Sequence, residues 1–562
     1  MTMSHQRPFA WLLAPLCVLV MTACVGDIEK PGGSSTSGPG GGTGTSGASL
    51  RAFGPPQARL LSAAEYRNTV RDLLGLEATP GLTHADLGSG YDTGAGGKLD
   101  ENLFSALLDE AERLSIEYIA TRIETDYPCF DPSNVTDACI TDIIEHLGRR
   151  AYRRPLAPEQ RSSLLALFQR IVTETSDRGL AAQSLVTRLL ASARFLHRTE
   201  IGAANKQGSN STLDQFERAS LISYALTGSM PDEALFQDAE AGLLEGERIR
   251  THVQRLLNTD AGRARFVQIL QQWLRLSDLD AMVAEPEAFP KLSGAPLALG
   301  LRNEFSAYVS DVIFDGPGTL RALLTANHTF VNQHTAPLYG ATESGDAMVR
   351  LSLDASQRKG VLGLASVMAV HASVGETSKD RPVIRGLLIK NQLLCEEVGL
   401  PSGIDTATAA ANVATESADF EALTTREQFE TMMNQGQECK NCHQQFMPYG
   451  FLMGNFDALG QFQTKKGDLP INTAVADIAI GERTDSYAGL TDFVDELAQS
   501  DVVSACFTRN LVAYAVGSAT GKHVDAMTVA LAKSFGGSGG DIQQLLADLL
   551  SNPDLYVKRW DP

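Results

Sequence analysis

Basic charge, long apolar runs and recognisable catalytic loops are what this 562-residue chain has least of. Lysine and arginine number 47 against 67 aspartates and glutamates, a formal net charge of −20. That balance argues against nucleic acid as a partner and against general adsorption to an anionic membrane surface, while remaining compatible with a basic protein partner. Beyond the first two dozen residues no apolar run approaches the ~20 residues that a membrane-spanning helix needs. The chain has no H-E-x-x-H pair and no Walker loop, so the chemistry those motifs carry is not indicated. Gly517 to Lys522 has a phosphate loop's residues at the wrong spacing, and His523 stands where Ser or Thr is required. Strand-like alternation is scarce, and no repeat of fixed period is present.

What is there begins at the N-terminus. A weakly basic start is followed by the apolar run Phe9 to Met21 and then by Thr22-Ala23-Cys24. The run is too short to span a bilayer comfortably and ends on small residues, which reads as a secretory signal over 1–23. Met21-Thr22-Ala23-Cys24 resembles a bacterial lipobox, with Met21 where Leu is usual. The resemblance implies cleavage before Cys24 and lipidation of its thiol, so the membrane is reached through a lipid anchor only. The alternative is a simple secretory signal cleaved nearby. Residues 27–56 are rich in Gly, Ser, Thr and Pro and too poor in apolar side chains to fold, so 24–56 reads as a lipidated Cys and its tether.

Cys439-Lys440-Asn441-Cys442-His443 is the most informative pentapeptide. C-x-x-C-H is the attachment pattern of c-type haem: two thiols bond the vinyl groups, and the next residue brings an imidazole under the iron. The reading is one haem c per chain, with Cys439 and Cys442 as thioethers and His443 as proximal ligand. A Cys439–Cys442 disulfide with His443 incidental is the competing reading, and zinc would need further ligands that are not nearby. Cys17 leaves with the signal and Cys24 takes lipid, so four of the eight cysteines remain. An even remainder in an oxidising compartment suggests two disulfides. Cys129–Cys139 closes a short loop containing Pro132, and Cys395–Cys506 follows by elimination. Buried free thiols are the alternative for Cys395 and Cys506.

Periodicity is mainly helical. Asp541 to Leu550 places apolar residues at helical spacing after an N-capping Asp541, with Pro553 beyond the end. Leu103, Leu107, Ala111, Leu114 and Tyr118 form a similar stripe. Pro158 opens another helix, and Ser229-Met230-Pro231-Asp232 caps one more. Alternation is confined to pieces such as Phe330-Val331-Asn332 and Val475 to Ile480. The expectation is a mainly α fold of several packed helical modules with small β elements in the C-terminal third.

Several stretches carry a family resemblance. Arg59-Leu60 with Glu65 to Gly75, Gly148 to Leu156, Ala193 to Arg198, Tyr224 to Asp232, Phe330 to Asn332, Cys439 to Gly460 and Tyr514 to Gly517 resemble, in order, the modules of exported proteins abundant in planctomycetes and myxobacteria. Those modules are the domains of unknown function 1587, 1595, 1592, 1588 and 1585. The resemblance implies modules over 57–125, 126–205, 206–345, 346–470 (with the C-x-x-C-H segment) and 471–562. The C-x-x-C-H segment with Gly450, Asn455-Phe456-Asp457 and their neighbours also resembles the haem segment of di-haem cytochrome c peroxidases. It departs at Met447, Met453 and Gly454, where Asp, Leu and Glu are usual. A single C-x-x-C-H is present, so a self-sufficient peroxidase of that kind is not implied.

For the sixth iron position, Met447 follows His443 too closely to reach the opposite haem face, and Met453 reads as core. His371 is the distal candidate, in a stretch resembling the family's T-S-P-x-x-R-G that ends here in Arg385-Gly386; His523 is a second. Arg149, Arg150, Arg153 and Arg154 are able to clasp an anion or haem propionates, or to pair with an acidic surface. Trp273 reads as core. The functional expectation is a cell-envelope lipoprotein, on the periplasmic or cell-surface face, that transfers electrons to a redox partner protein or carries out small-oxidant chemistry. If it is an enzyme, it is a haem-dependent oxidoreductase. The alternative is a non-enzymatic, disulfide-stabilised surface lipoprotein that binds a protein partner or an envelope polymer.

Overall fold

The structure is a computed structural model that describes residues 54–79, 90–93, 98–276, 279, 295–372, 381–398, 420, 422–434, 437–518 and 522–560. The signal segment, Cys24 and residues 27–53 of the tether lie outside the described residues. The fold is mainly α, with short antiparallel strand pairs.

Helices form where apolar spacing and capping chemistry agree. Helix Glu101–Thr121 buries Leu107, Ala111, Leu114 and Tyr118 on one face. Helix Ile542–Ser551 is capped by Asp541, whose carboxylate accepts the Gln544 N–H at 2.9 Å. Pro158 occupies the first turn of helix Pro158–Thr175, where its missing N–H costs nothing. At helix Glu233–Glu240 the N-cap is Asp232, so Pro231 lies one residue ahead of the cap and not inside the helix.

Two strand pairings fall on the alternating stretches: His328–Val331 with Val349–Ser352, and Val475–Ile480 with Arg483–Tyr487. Two others do not. Gln57–Leu60 pairs with His197–Glu200, and Val557–Arg559 joins Asn210–Thr212 and Lys206–Gln207 in a three-stranded sheet. These strands carry charged residues where apolar ones would announce them. Arg59 and Lys558, both buried, converge on the buried Glu200 at 2.9 and 3.0 Å. The Arg59 guanidinium also donates to the carbonyls of Ala515 and Val516, in the last turn of helix Asp501–Val516. A cation there meets both a carboxylate and the negative end of a helix.

Apolar side chains gather into two cores. One runs from Leu60 through Phe195 to Tyr224 and Met230. The other takes in Tyr91 and then Leu213 through Tyr556, and it carries the C-x-x-C-H segment at its edge. Both expected disulfides are formed, with Cα atoms 5.8 Å apart in Cys129–Cys139 and 5.4 Å apart in Cys395–Cys506, inside the range a bridge requires. The second lies beside Trp273, which is core as expected: its indole N–H donates to Gln392 O at 2.8 Å and its ring meets Phe507 edge-on.

Candidate functional site

The C-x-x-C-H segment is helical, Gln437–His443, with Cys439 and Cys442 three residues apart along it. Cys442 is half-buried against the edge of the larger core. The Cys439 and His523 side chains lie outside what the structure describes. A three-residue turn then leads into helix Met447–Phe451, with Pro448 in its first turn.

That second short helix is placed by a backbone crossing. It packs on helix Pro382–Leu388, and a methyl group on Gly386 would overlap the Phe446 carbonyl. One on Gly450 would overlap the Pro382 carbonyl. Only residues without a Cβ allow this approach. Beside the crossing, Arg385 is buried and donates to the backbone carbonyls of Met453 (3.1 Å), Phe456 (2.8 Å), Met368 (3.3 Å) and Asp457 (2.7 Å). The Asn455 to Gly460 loop is gripped a second time by buried Arg358, which donates to Gly460 O and to Leu338 O and lies over the Tyr339 and Phe456 rings. Asp457 turns inward to accept the N–H groups of Leu459 at 2.9 Å and Gln461 at 2.8 Å. Burial raises its carboxyl pKa.

His443 ends the first helix half-buried, its ring 5.3 Å from that of Phe446. Its Nδ1 lies 3.2 Å from Met447 Sδ. A thioether only accepts, so the contact is a hydrogen bond in the tautomer with the proton on Nδ1 and the lone pair on Nε2. Burial lowers the pKa of His443, which favours the neutral ring. This donor chemistry fits covalent haem: a neutral imidazole with Nε2 in reserve follows a C-x-x-C helix, and the porphyrin supplies four iron ligands itself. Among the described residues no three His, Cys, Asp or Glu side chains converge as a metal site.

The remaining candidates do other work. Met447 stands on the Nδ1 side of His443, and Met453 is buried in the larger core. His371 is buried and donates Nε2–H to Leu274 O at 2.8 Å. Burial, with the Arg385 charge adding to it, pushes His371 down to about 4 against that hydrogen bond. The arginine run is structural. Arg149 pairs with Glu233 and Glu240 and covers the Phe236 ring; Arg150 donates to Asp72 O, and Arg154 pairs with Asp214. Buried Arg153 donates to the carbonyls of Arg194, Phe195 and His197 and to the Tyr224 hydroxyl. A small cleft of about 30 Å³ lies beside the crossing, lined by Pro382, Arg426, Gly450, Phe451 and Lys466 among others. Arg385-Gly386 stands out as a motif in the sequence, but its carbonyl-clasping role does not, and Arg358 gives no sequence signal.

Five family models match in tandem, each described as a protein of unknown function: DUF1587 over residues 59–120, DUF1595 over 139–200, DUF1592 over 213–341, DUF1588 over 358–466 and DUF1585 over 484–554. The chain belongs to this five-domain family. No curated protein and no solved structure matches it. Arg358, Arg385, Gly386, Gly450 and the C-x-x-C-H segment all fall within the DUF1588 match. The motif residues of the other domains meet one another. Tyr514, in the DUF1585 match, donates to Ala225 O at 2.7 Å and accepts from Arg265 Nε at 2.8 Å, both in the DUF1592 match. Arg153 carries the DUF1595 match to Tyr224 in the same way. These contacts fasten the DUF1585 and DUF1595 matches to the DUF1592 match.

Proposed function

We propose that this chain is an exported cell-envelope protein that binds one haem c through Cys439 and Cys442, with His443 as proximal ligand, and that it passes single electrons to and from a redox partner protein. The observation carrying this reading is His443: a half-buried imidazole at the end of a C-x-x-C helix, its Nδ1 occupied and its Nε2 left for a metal. When bound, the haem supplies a one-electron iron couple. The chain's own residues anchor, orient and shield: Cys439 and Cys442 hold the porphyrin edge, and Phe446 and Met447 fix the imidazole. Arg385 and Arg358 keep the following loop in register. Two disulfides support an oxidising compartment. No helix among the described residues is long and apolar enough to cross a membrane, and Cys24 would supply the attachment as a lipid-bearing residue.

The test is a pyridine haemochrome spectrum of the full exported chain made alongside haem-maturation machinery. Thioether-linked haem stays with the polypeptide after acid-acetone extraction; Cys442→Ala leaves at most one thioether, and His443→Ala gives mis-ligated or haem-free protein. A wild-type chain without retained haem sinks the proposal and leaves the disulfide-stabilised, partner-binding surface protein in its place.

A further inference from the structure

We propose that Met447 is the positioning residue of the haem site: its thioether accepts the Nδ1–H of His443, selects the tautomer that leaves Nε2 for iron, and keeps the imidazole weakly basic so that the site carries electrons. The inference rests on the haem reading above and deepens it.

Three observations place the contact. Met447 Sδ lies 3.2 Å from His443 Nδ1. Met447 is fully buried, so its sulfur is shielded from water. Its backbone opens the helix that Gly386 and Gly450 press against helix Pro382–Leu388. The acceptor is therefore held by the fold, and Phe446 limits rotation of the imidazole from a second direction.

The choice of acceptor has a chemical consequence. The group on the second nitrogen of a ligating histidine fixes its tautomer and sets its basicity. A carboxylate or carbonyl draws the proton strongly and makes the other nitrogen a richer donor, which stabilises ferric iron and favours bond-breaking chemistry. A thioether is neutral and a weak acceptor. It orients the ring while adding little electron density, so ferrous iron is relatively favoured. The couple is ferric iron plus one electron giving ferrous iron, with a one-electron centre on the partner protein as donor or acceptor. No bond to substrate is made or broken.

Wild type, Met447→Leu and Met447→Gln are prepared as full exported chains with haem-maturation machinery, and haem content and midpoint potential are measured on each. Leu keeps the volume and removes the acceptor; Gln keeps the length and supplies a stronger one. Haem content is expected to be equal in all three. Gln is expected to shift the ratio of oxidised to reduced iron about tenfold toward oxidised at fixed ambient potential, which is about 59 mV for one electron. Leu shifts it by less in the opposite direction. Haem-loaded variants with unchanged potentials, or a Gln variant that moves upward, overturn the role of Met447 while leaving the haem reading standing. A wild-type chain without haem overturns both. If the Gln variant is not recovered, the Leu variant decides, and an unchanged potential there defeats the proposal.

Discussion

Gly386 and Gly450 share one helix crossing, where the Phe446 carbonyl fills the space a Cβ would need at Gly386 and the Pro382 carbonyl the space one would need at Gly450. The contact fixes helix Met447–Phe451 on helix Pro382–Leu388, and with it the residues that face His443. Gly450→Ala and Gly386→Ala are each expected to lower stability by about 3 kcal/mol, the upper end of what overpacking costs, because the obstruction is backbone and cannot rotate away. Urea unfolding measures the loss, and reduced haem content in the same variants would follow from the displaced imidazole. Variants as stable as wild type would show that the crossing is loose.

Arg385 answers four backbone carbonyls at once; Met453 O and Asp457 O also accept the N–H groups of Phe456 and Gly460, but removing the guanidinium takes a charged donor from all four. Arg385→Met, which keeps much of the volume, is expected to cost about 3–5 kcal/mol. Arg385→Lys should recover little, since a single ammonium cannot span carbonyls that a planar fork addresses together. A lysine variant with near-wild-type stability would mean that charge, not geometry, is what the loop requires.

What the sequence disclosed, and what it did not, divides along physical lines. Helices such as Glu101–Thr121 and Ile542–Ser551 were readable because local apolar spacing and a capping carboxylate agree. The pairing of Gln57–Leu60 with His197–Glu200 was not, because its buried positions are charged and its partner lies far along the chain. At the candidate site, the C-x-x-C-H spacing singles out Cys439, Cys442 and His443 for a proposal, whereas the His443–Met447 sulfur contact is one that no spacing rule encodes. Arg149 to Arg154 show the converse: a conspicuous cluster of one charge proved to be spent on carbonyls, carboxylates and an aromatic ring.

The disulfides should differ in worth. Cys395–Cys506 spans 111 residues and Cys129–Cys139 only 10. In the chain-entropy description a loop of about 100 residues is worth about 4.7 kcal/mol and one of about 15 about 3. Paired Cys→Ala variants, compared by thermal unfolding, are expected to rank in that order. A reversed ranking would point to native-state packing around Cys129 as the dominant effect.

Acid sensitivity should trace to Glu200. Burial acts to raise its carboxyl pKa, but Arg59, Lys558 and Arg198 outweigh this and hold it at about 2, against a usual value of 4.5. The same burial lowers the pKa of Lys558 and Arg59. A depressed folded-state pKa gives a contribution that is present above about 4.5 and lost as pH falls toward about 2. The pH-dependent part is on the order of 3 kcal/mol. Glu200→Gln removes that dependence while leaving two cations short of a partner, so the variant is less stable at neutral pH. An unaltered slope of unfolding free energy between pH 4.5 and 2 would place the acid sensitivity elsewhere.

His371 tests the sixth iron position. Its Nε2–H is committed to Leu274 O at 2.8 Å, and the ring is buried where a charged imidazole is disfavoured. To ligate iron through Nε2 it would have to release a buried carbonyl, a cost of about 1–3 kcal/mol. His371→Gln preserves a donor near the Nε2 position and removes the aromatic nitrogen ligand. The expected outcome is an absorbance spectrum unchanged in both oxidation states, with a modest loss of stability from altered packing. A shift toward high spin would show instead that His371 leaves Leu274 when haem is attached. Histidine-ligated iron would then favour electron transfer by the opposite route, through a filled sixth site rather than through the weak basicity that Met447 imposes.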